Sequence, residues 1–204
     1  MIVIGLTGGI ATGKSTTAAM MAARGIPLHD ADAAVHVLMA PGGAAIGPVT
    51  QMFGDGMLTT GGAIDRQRLG AVIFSDPAQR RALEAIIHPL VAEDRDMFLA
   101  RHRQAGSQLV VLDIPLLFET GGEALCDFVI LCSASEEIQR RRALQRDGMT
   151  ATKFESILES QMPLASKRAM ADAEIDTGLG LESAAAALDA ILDGPVRELQ
   201  ERAG

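Results

Sequence analysis

GLTGGIATGKST, residues Gly5 to Thr16, is the stretch on which the reading of this chain turns. Gly8, Gly13, Lys14 and Ser15 stand in it at the spacing Gly-x4-Gly-Lys-Ser, the pattern of a phosphate-binding loop. Glycines free the backbone N–H groups to turn inward as a nest for phosphate, and a helix that starts at once adds its own unpaired N–H groups and its dipole. The candidate nucleotide contacts are therefore Gly9, Ile10, Ala11, Thr12, Gly13, Lys14, Ser15 and Thr16, with Lys14 on the β- and γ-phosphates and the Ser15 hydroxyl on Mg2+. The flanking text suits the motif. IVIGL before it is a short apolar run with β-branched residues, read as a strand buried on both faces, and KSTTAAMMAARG after it reads as a helix closed by Gly25.

Further strands are expected at IPLHD from Ile26, QLVVLDIP from Gln108, FVILCSA from Phe128 and, most weakly, AEIDT from Ala173. In ADAAVHVLMAPGG, Ala33, Ala34, Val37 and Leu38 recur at helical spacing. A long helix is expected to place Leu83, Ile86, Ile87, Leu90, Val91, Met97 and Phe98 on one side, with Pro89 kinking or dividing it. LESAAAALDAIL is a last helix, and Thr59 to Gly62, TTGG, is the best turn or hinge in the irregular stretch from Ala44 to Asp76. The order β-α-β-α-α-β-β-α-α-β-α, with nearly all-apolar strands, predicts an α/β fold in which helices flank a parallel sheet.

The 204 residues suffice for one domain carrying an inserted flap or lid, without repeats or a linker between separate domains. A formal net charge of -8 argues against a protein whose main work is gripping a nucleic-acid backbone, so any basic site must be local. The N-terminus lacks a basic leader and a cleavage site, and no apolar run approaches the roughly 18 residues of a spanning helix. A soluble, cytoplasmic protein is expected. Cys126 and Cys132 fit neither zinc nor redox spacing and read as reduced, packed thiols. With no Trp or Tyr, an adenine ring would stack on Phe, Arg or aliphatic side chains.

Phosphoryl transfer also needs a group to orient the nucleophile, an acid on the Mg2+ side and cations for the developing charge. Asp30 and Asp32 follow the second strand, at the carboxyl edge of the sheet, where a carboxylate accepts a hydroxyl proton or, equally, caps a helix. Asp113 ends an apolar strand, as an acid that holds Mg2+ through water would, or else sits in a strand-end turn. Glu119 is less constrained by spacing. Arg140, Arg141, Arg142 and Arg146 form a basic cluster, with Arg142 and Arg146 one turn apart on one helical face: a phosphate clamp or a solvated face. His88, beside Pro89, is either a ligand contact or a structural hydrogen bonder, and His36 is assigned no chemistry.

In order, GLTGGIATGKS, DAD, HPLV, LDIPLLFE, QRRRALQRDGM and KRAMADAEIDT resemble the dephospho-CoA kinase family, from Ile2 to about Leu192. The resemblance implies transfer of the ATP γ-phosphoryl group to the 3′-hydroxyl of dephospho-CoA, giving CoA and ADP, with Mg2+. It implies a single P-loop NTPase unit with its nucleotide-binding core at 1–40, 105–135 and 171–194, a helical CoA-binding insertion at 41–104 and a lid at 136–170. On this sequence Asp32 matches the catalytic base, Lys14 and Ser15 the phosphate and Mg2+ contacts, and Arg142 and Arg146 the lid-side cations. His88, with Asp32 and Asp113, falls to the acceptor side. Two departures stand out: His36 where many members carry Arg, and Thr177 where many carry Asn, which weighs against an adenine contact through a side-chain amide. The alternatives are a kinase of another small alcohol or nucleotide, and a non-catalytic nucleotide-binding regulator.

Overall fold

Strand β1 (Ile2–Gly8) is buried along its whole length, as a central strand covered on both faces must be. The computed structural model describes the backbone of residues 1–203 and the side chains of these except at positions 74, 75 and 203. After β1 come α1 (Lys14–Ala23), β2 (Leu28–Asp30), α2 (Ala31–Leu38), α3 (Ile46–Phe53), α4 (Arg66–Ser75) and α5 (Pro77–Gln104). The chain then returns through β3 (Leu109–Asp113), β4 (Phe128–Ser133), α6 (Glu136–Leu144), α7 (Ala151–Ser160), α8 (Leu164–Met170), β5 (Ala173–Asp176), α9 (Leu181–Ile191) and α10 (Arg197–Ala203). The strands form one sheet in the order β2-β3-β1-β4-β5, with β1 parallel to both β3 and β4, and β4 parallel to β5. The expected α/β class and flanked parallel sheet are present.

The chain divides into two units, Met1–His29 with Arg103–Gly204, and Asp30–His102. In the first, Ile2, Ile4 and Leu6 of β1 and Phe128, Ile130 and Cys132 of β4 alternate onto one sheet face, where Ala18 and Met21 of α1 and Leu188 and Ile191 of α9 cover them. Each fully buried aliphatic side chain contributes about 2 kcal/mol by area removed from water. Gly25 follows α1 at φ 77, as a closing glycine should.

The second unit has its own core of Met39, Ala45, Val49, Ile64, Leu69, Leu83 and Ile87. The stretch that looked irregular supplies much of it through α3 and α4, short helices masked in the sequence by Gly and Thr. Thr59 to Gly62 is a turn: the Thr59 N–H donates to Ala63 O and the Gly62 N–H to Thr59 O, while Leu58 and Ile64 make an antiparallel bridge. Asp65 caps α4 by accepting from the N–H groups of Gln67 and Arg68.

Several expectations are corrected. Of the two outcomes expected at Pro89, division does not occur: α5 runs through it from Pro77 to Gln104, with Pro89 at an exposed position. Met97, placed on the apolar side by its spacing, is 59% exposed, and Leu99 is buried instead, so the buried stripe rotates in the last turns. Val37 is likewise 69% exposed, while Val35 and Leu38 pack on the second core. After α9 the chain continues through a π-turn at Leu192–Val196, which carries Pro195, into α10.

Candidate active site

The carboxyl edge of a parallel sheet is where ligands gather in α/β folds, and β1 ends there at Gly8. Residues 9–13 link it to α1, and their backbone is tied from several sides. The Ile10 N–H donates to Gln161 Oε1 at 2.9 Å, the Thr12 hydroxyl to Gly9 O at 2.9 Å, and the Thr177 hydroxyl to Thr12 O at 2.7 Å. Ala11 holds φ 57, the left-handed region, which costs a residue with a Cβ about 1–2 kcal/mol and persists only where its surroundings over-determine it. Gly13, at φ 84, is the N-cap of α1, so the N–H groups at the start of the helix have no partner within it. Ser15 and Thr16 are exposed beside them.

Lys14 Nζ lies 2.5 Å from Asp113 Oδ1. Asp113 closes β3, is 2% exposed and pairs in register with Leu6, so the parallel pairing itself carries the carboxylate to the lysine of the loop. Two ions this dry are costly to desolvate, and removing either strands the other. An anionic phosphate entering the loop competes with Asp113 for the same ammonium. Nearby, burial pushes the Cys132 thiol up to about 11, with Asp113 adding to the rise and Thr17 and Lys14 opposing it. It stays a protonated, unreactive packed thiol.

Helix α6 starts on a Ser135 cap with Glu136 and Glu137 in its first turn, and carries arginines toward its C-terminus, as its dipole favours. Arg140 pairs with Glu155 of α7 at 3.0 Å. Arg142 places a fork on one residue: Nη1 donates to Thr177 Oγ1 and Nη2 to Thr177 O, both at 2.8 Å. The helix ends at Leu144, so Arg146 does not share a helical face with Arg142. Its N–H donates to Ala143 O in a turn that passes through Gly148 at φ 71, which the Asp147-Gly148 pair brings about.

In the second unit Asp30 is the N-cap of α2, its Oδ1 accepting from the Ala33 N–H at 3.0 Å, so of its two readings the cap holds. Asp32 is exposed in the first turn of α2 and His36 lies one turn on. His36 Nε2 lies 2.5 Å from Nη1 of Arg66 on α4. His88 is exposed on α5. Lys14, Ser15, Asp113, Arg142 and Arg146 thus belong to the first unit, and Asp32, His36 and His88 to the second.

Three features escaped the sequence reading. Gln161, just past α7, holds the loop at Ile10. Thr177 holds it at Thr12, and its place directly after β5, at the same sheet edge as the loop, was a readable signal. Lys167 is fully buried, with Nζ 2.8 Å from Glu119 Oε1, which also accepts from the Met162 N–H at 2.9 Å. No pattern in SKRAMAD distinguishes a buried lysine from a solvated one. Burial works to raise the Glu119 carboxyl, but Lys167 and backbone N–H donors, Met162 among them, together hold it below its ordinary value.

With this geometry in view, comparisons with known proteins are informative. A family model for dephospho-CoA kinase matches residues 2–182. A dephospho-CoA kinase of Mesorhizobium japonicum is 53% identical over 193 residues, covering 95% of this chain and 96% of that protein. One from Cereibacter sphaeroides is 50% identical over 189 residues, covering 93% of each. The crystal structure of TT1252 from Thermus thermophilus superposes with a TM-score of 0.80 at 32% identity, covering 95% of this chain and 97% of the other.

Proposed function

The chain belongs to the dephospho-CoA kinase family, and on that footing we propose that it transfers the γ-phosphoryl group of ATP to the 3′-hydroxyl of dephospho-CoA, giving ADP and CoA in the last step of coenzyme A synthesis. The observation that carries the reading is the Lys14–Asp113 pair at the mouth of the Gly8–Thr16 loop, within a family match that spans most of the chain. N–H groups of the Gly9 to Thr16 stretch receive the ATP phosphates, those of Gly13, Lys14 and Ser15 foremost, since those of Ile10, Thr12 and Thr16 already donate to Gln161 Oε1, Gly9 O and Gly13 O. Lys14 turns from Asp113 toward the phosphates as a point charge. Arg142, with Arg146 beside the nucleotide, meets charge that develops on the transferred group. Asp32 accepts the proton of the acceptor hydroxyl and holds it in line, while His88 and Asp113 contribute to the acceptor side.

The Ser15 hydroxyl and the Asp113 carboxylate are hard oxygen donors of the kind Mg2+ takes, so the residues present fit that ion, with Asp113 holding it through water. When bound, Mg2+ neutralises charge on the β- and γ-phosphate oxygens. Residues 41–104 serve as the CoA-binding insertion, which the separate core of the second unit supports. Residues 136–170 form a lid whose closure keeps water from the activated phosphate. The proposed compartment is the cytoplasm, where ATP is supplied; no helix among the described residues is long and apolar enough to cross a membrane.

Purified protein incubated with Mg-ATP and dephospho-CoA is expected to form CoA and ADP one for one. Absence of CoA at micromolar enzyme overturns the assignment. ADP release with a different small alcohol instead makes the chain a kinase of that alcohol, and nucleotide binding without acceptor-dependent ADP release makes it a regulator.

A further inference from the structure

Thr177 is 7% exposed and sits where three elements meet. Its Oγ1 lies 2.7 Å from Thr12 O in the phosphate loop and 3.1 Å from Ser133 O at the end of β4, and it accepts from Arg142 Nη1 at 2.8 Å. A hydroxyl has a single proton, so it donates to one carbonyl at a time, and the shorter distance favours Thr12. The Arg142 fork closes on the carbonyl oxygen of the same residue. Asp176 braces the turn by accepting from the Gly178 N–H at 2.8 Å. The contact with the loop is close enough to exclude a side chain: a Cβ on Gly13 would lie 2.8 Å from Thr177 Oγ1.

The geometry has a consequence for the nucleotide. In a trans peptide the carbonyl oxygen and the amide hydrogen point in opposite directions. Holding Thr12 O on Thr177 therefore aims the Gly13 N–H away from Thr177, into the nest that a phosphate would fill. The same hydroxyl holds the Arg142 guanidinium beside that peptide, and the N–H groups of the fork not spent on Thr177 are left for an anion. One residue thus sets both a neutral donor and a cation.

We propose that Thr177 is a positioning residue for the nucleotide: its hydroxyl couples the Thr12–Gly13 peptide of the phosphate loop to Arg142, so that the two donors are set as one device. The proposal rests on the reading of that loop as the ATP site. It makes no demand on the acceptor. Thr177 touches no phosphate itself and acts through the groups it holds.

The test compares Thr177→Val, which keeps shape and loses the hydroxyl, with Thr177→Ser, which keeps the hydroxyl, and adds Arg142→Ala alone and in the Thr177→Val background. ADP affinity is read by calorimetry with Mg2+, alongside kcat, KM for each substrate and Tm. Thr177→Val is expected to weaken ADP binding and raise KM for ATP about tenfold, the worth of a hydrogen bond to a charged group, with KM for dephospho-CoA unchanged. Thr177→Ser restores both. The losses from Arg142→Ala and Thr177→Val are expected to be less than additive in the double variant, because Thr177→Val already removes one of the two bonds that set the guanidinium and leaves only the one to Thr177 O. Wild-type ADP affinity in Thr177→Val with only a lower Tm, or losses that multiply fully in the double variant, overturns the proposal. If Thr177→Val does not fold, Thr177→Ala, which removes atoms and introduces no apolar group against the carbonyls, is judged by the same two criteria. A wild-type protein that forms no CoA defeats the proposed acceptor, while the ADP titrations still decide the role of Thr177.

Discussion

Gly8 and Gly13 satisfy the spacing of the phosphate loop, and each is also required for space. A Cβ on Gly8 would come within 2.4 Å of the Thr12 hydroxyl and 2.8 Å of Cys132 O. One on Gly13 would meet Thr177 in a backbone conformation, φ 84, that side chains avoid. Gly9 lies between them in the same motif, yet its Cβ would meet nothing closer than Gln139 Oε1 at 3.3 Å, with Gln161 Oε1 and Thr12 Cγ2 at 3.5 Å, and its φ is not positive. The three therefore differ in kind although a sequence shows three identical letters. Gly13→Ala should lose about 2 kcal/mol or more of stability, from left-handed strain plus overlap. Gly9→Ala should lose less than about 1 kcal/mol, since reduced freedom of the unfolded chain offsets part of any crowding. Urea unfolding of both variants measures this, and equal losses would remove the steric account.

Lys167 on α8 and Glu119 after β3 join two elements whose sequences give no sign of each other. Lys167 is fully buried and paired at 2.8 Å, so truncating Lys167 to Ala, which strands a largely buried carboxylate, should cost about 3 kcal/mol. The Glu119 carboxyl is held below its ordinary value of 4.5, so its contribution is complete above that pH and is lost as pH falls through the lower folded value. Melting curves of wild type and Glu119→Gln should therefore differ most near neutrality and converge in acid, once the folded carboxyl is protonated. A gap that stays constant into acid would show that charge plays no part. This pair also marks the limit of what can be read without a structure. Strands β1, β3 and β4 were legible because a doubly covered strand is nearly all apolar, whereas the edge strands β2 and β5 carry charged residues and gave a weaker signal, and β1 with its loop was legible because strand, glycines and helix are contiguous. Asp113 was legible by its place at a strand end. Gln161 and Lys167 were not, because each acts on a partner more than 40 residues away with no periodicity to announce it, whereas Thr177 carried a signal in its place directly after β5. Arg146 was misplaced by extending a helix past its end at Leu144, and Met97 by assuming that one stripe is buried along all of α5.

Over the molecule, the residues proposed for the donor all fall in the first unit, while of those proposed for the acceptor Asp32 and His88 fall in the second and Asp113 in the first; each unit has a core of its own. Lys14, Ser15 and Asp113 are carried by the sheet and the helix that follows β1; Asp32 and His88 are carried by the helices of residues 30–102. Such a division lets binding of the donor and activation of the acceptor be perturbed separately. Asp32→Asn is nearly isosteric at an exposed position, so it should leave folding and ADP affinity intact. It removes the proposed proton acceptor, and turnover should fall on the order of a hundredfold or more. Lys14→Ala should instead weaken ADP binding and turnover together, and should also lower Tm because Asp113 is left buried without its lysine. The two variants are separated by titrating ADP calorimetrically and measuring kcat with saturating dephospho-CoA. Near-normal kcat in Asp32→Asn takes Asp32 out of the base role. Loss of ADP affinity in that variant would show that the division between donor and acceptor residues is wrong, whatever happens to kcat.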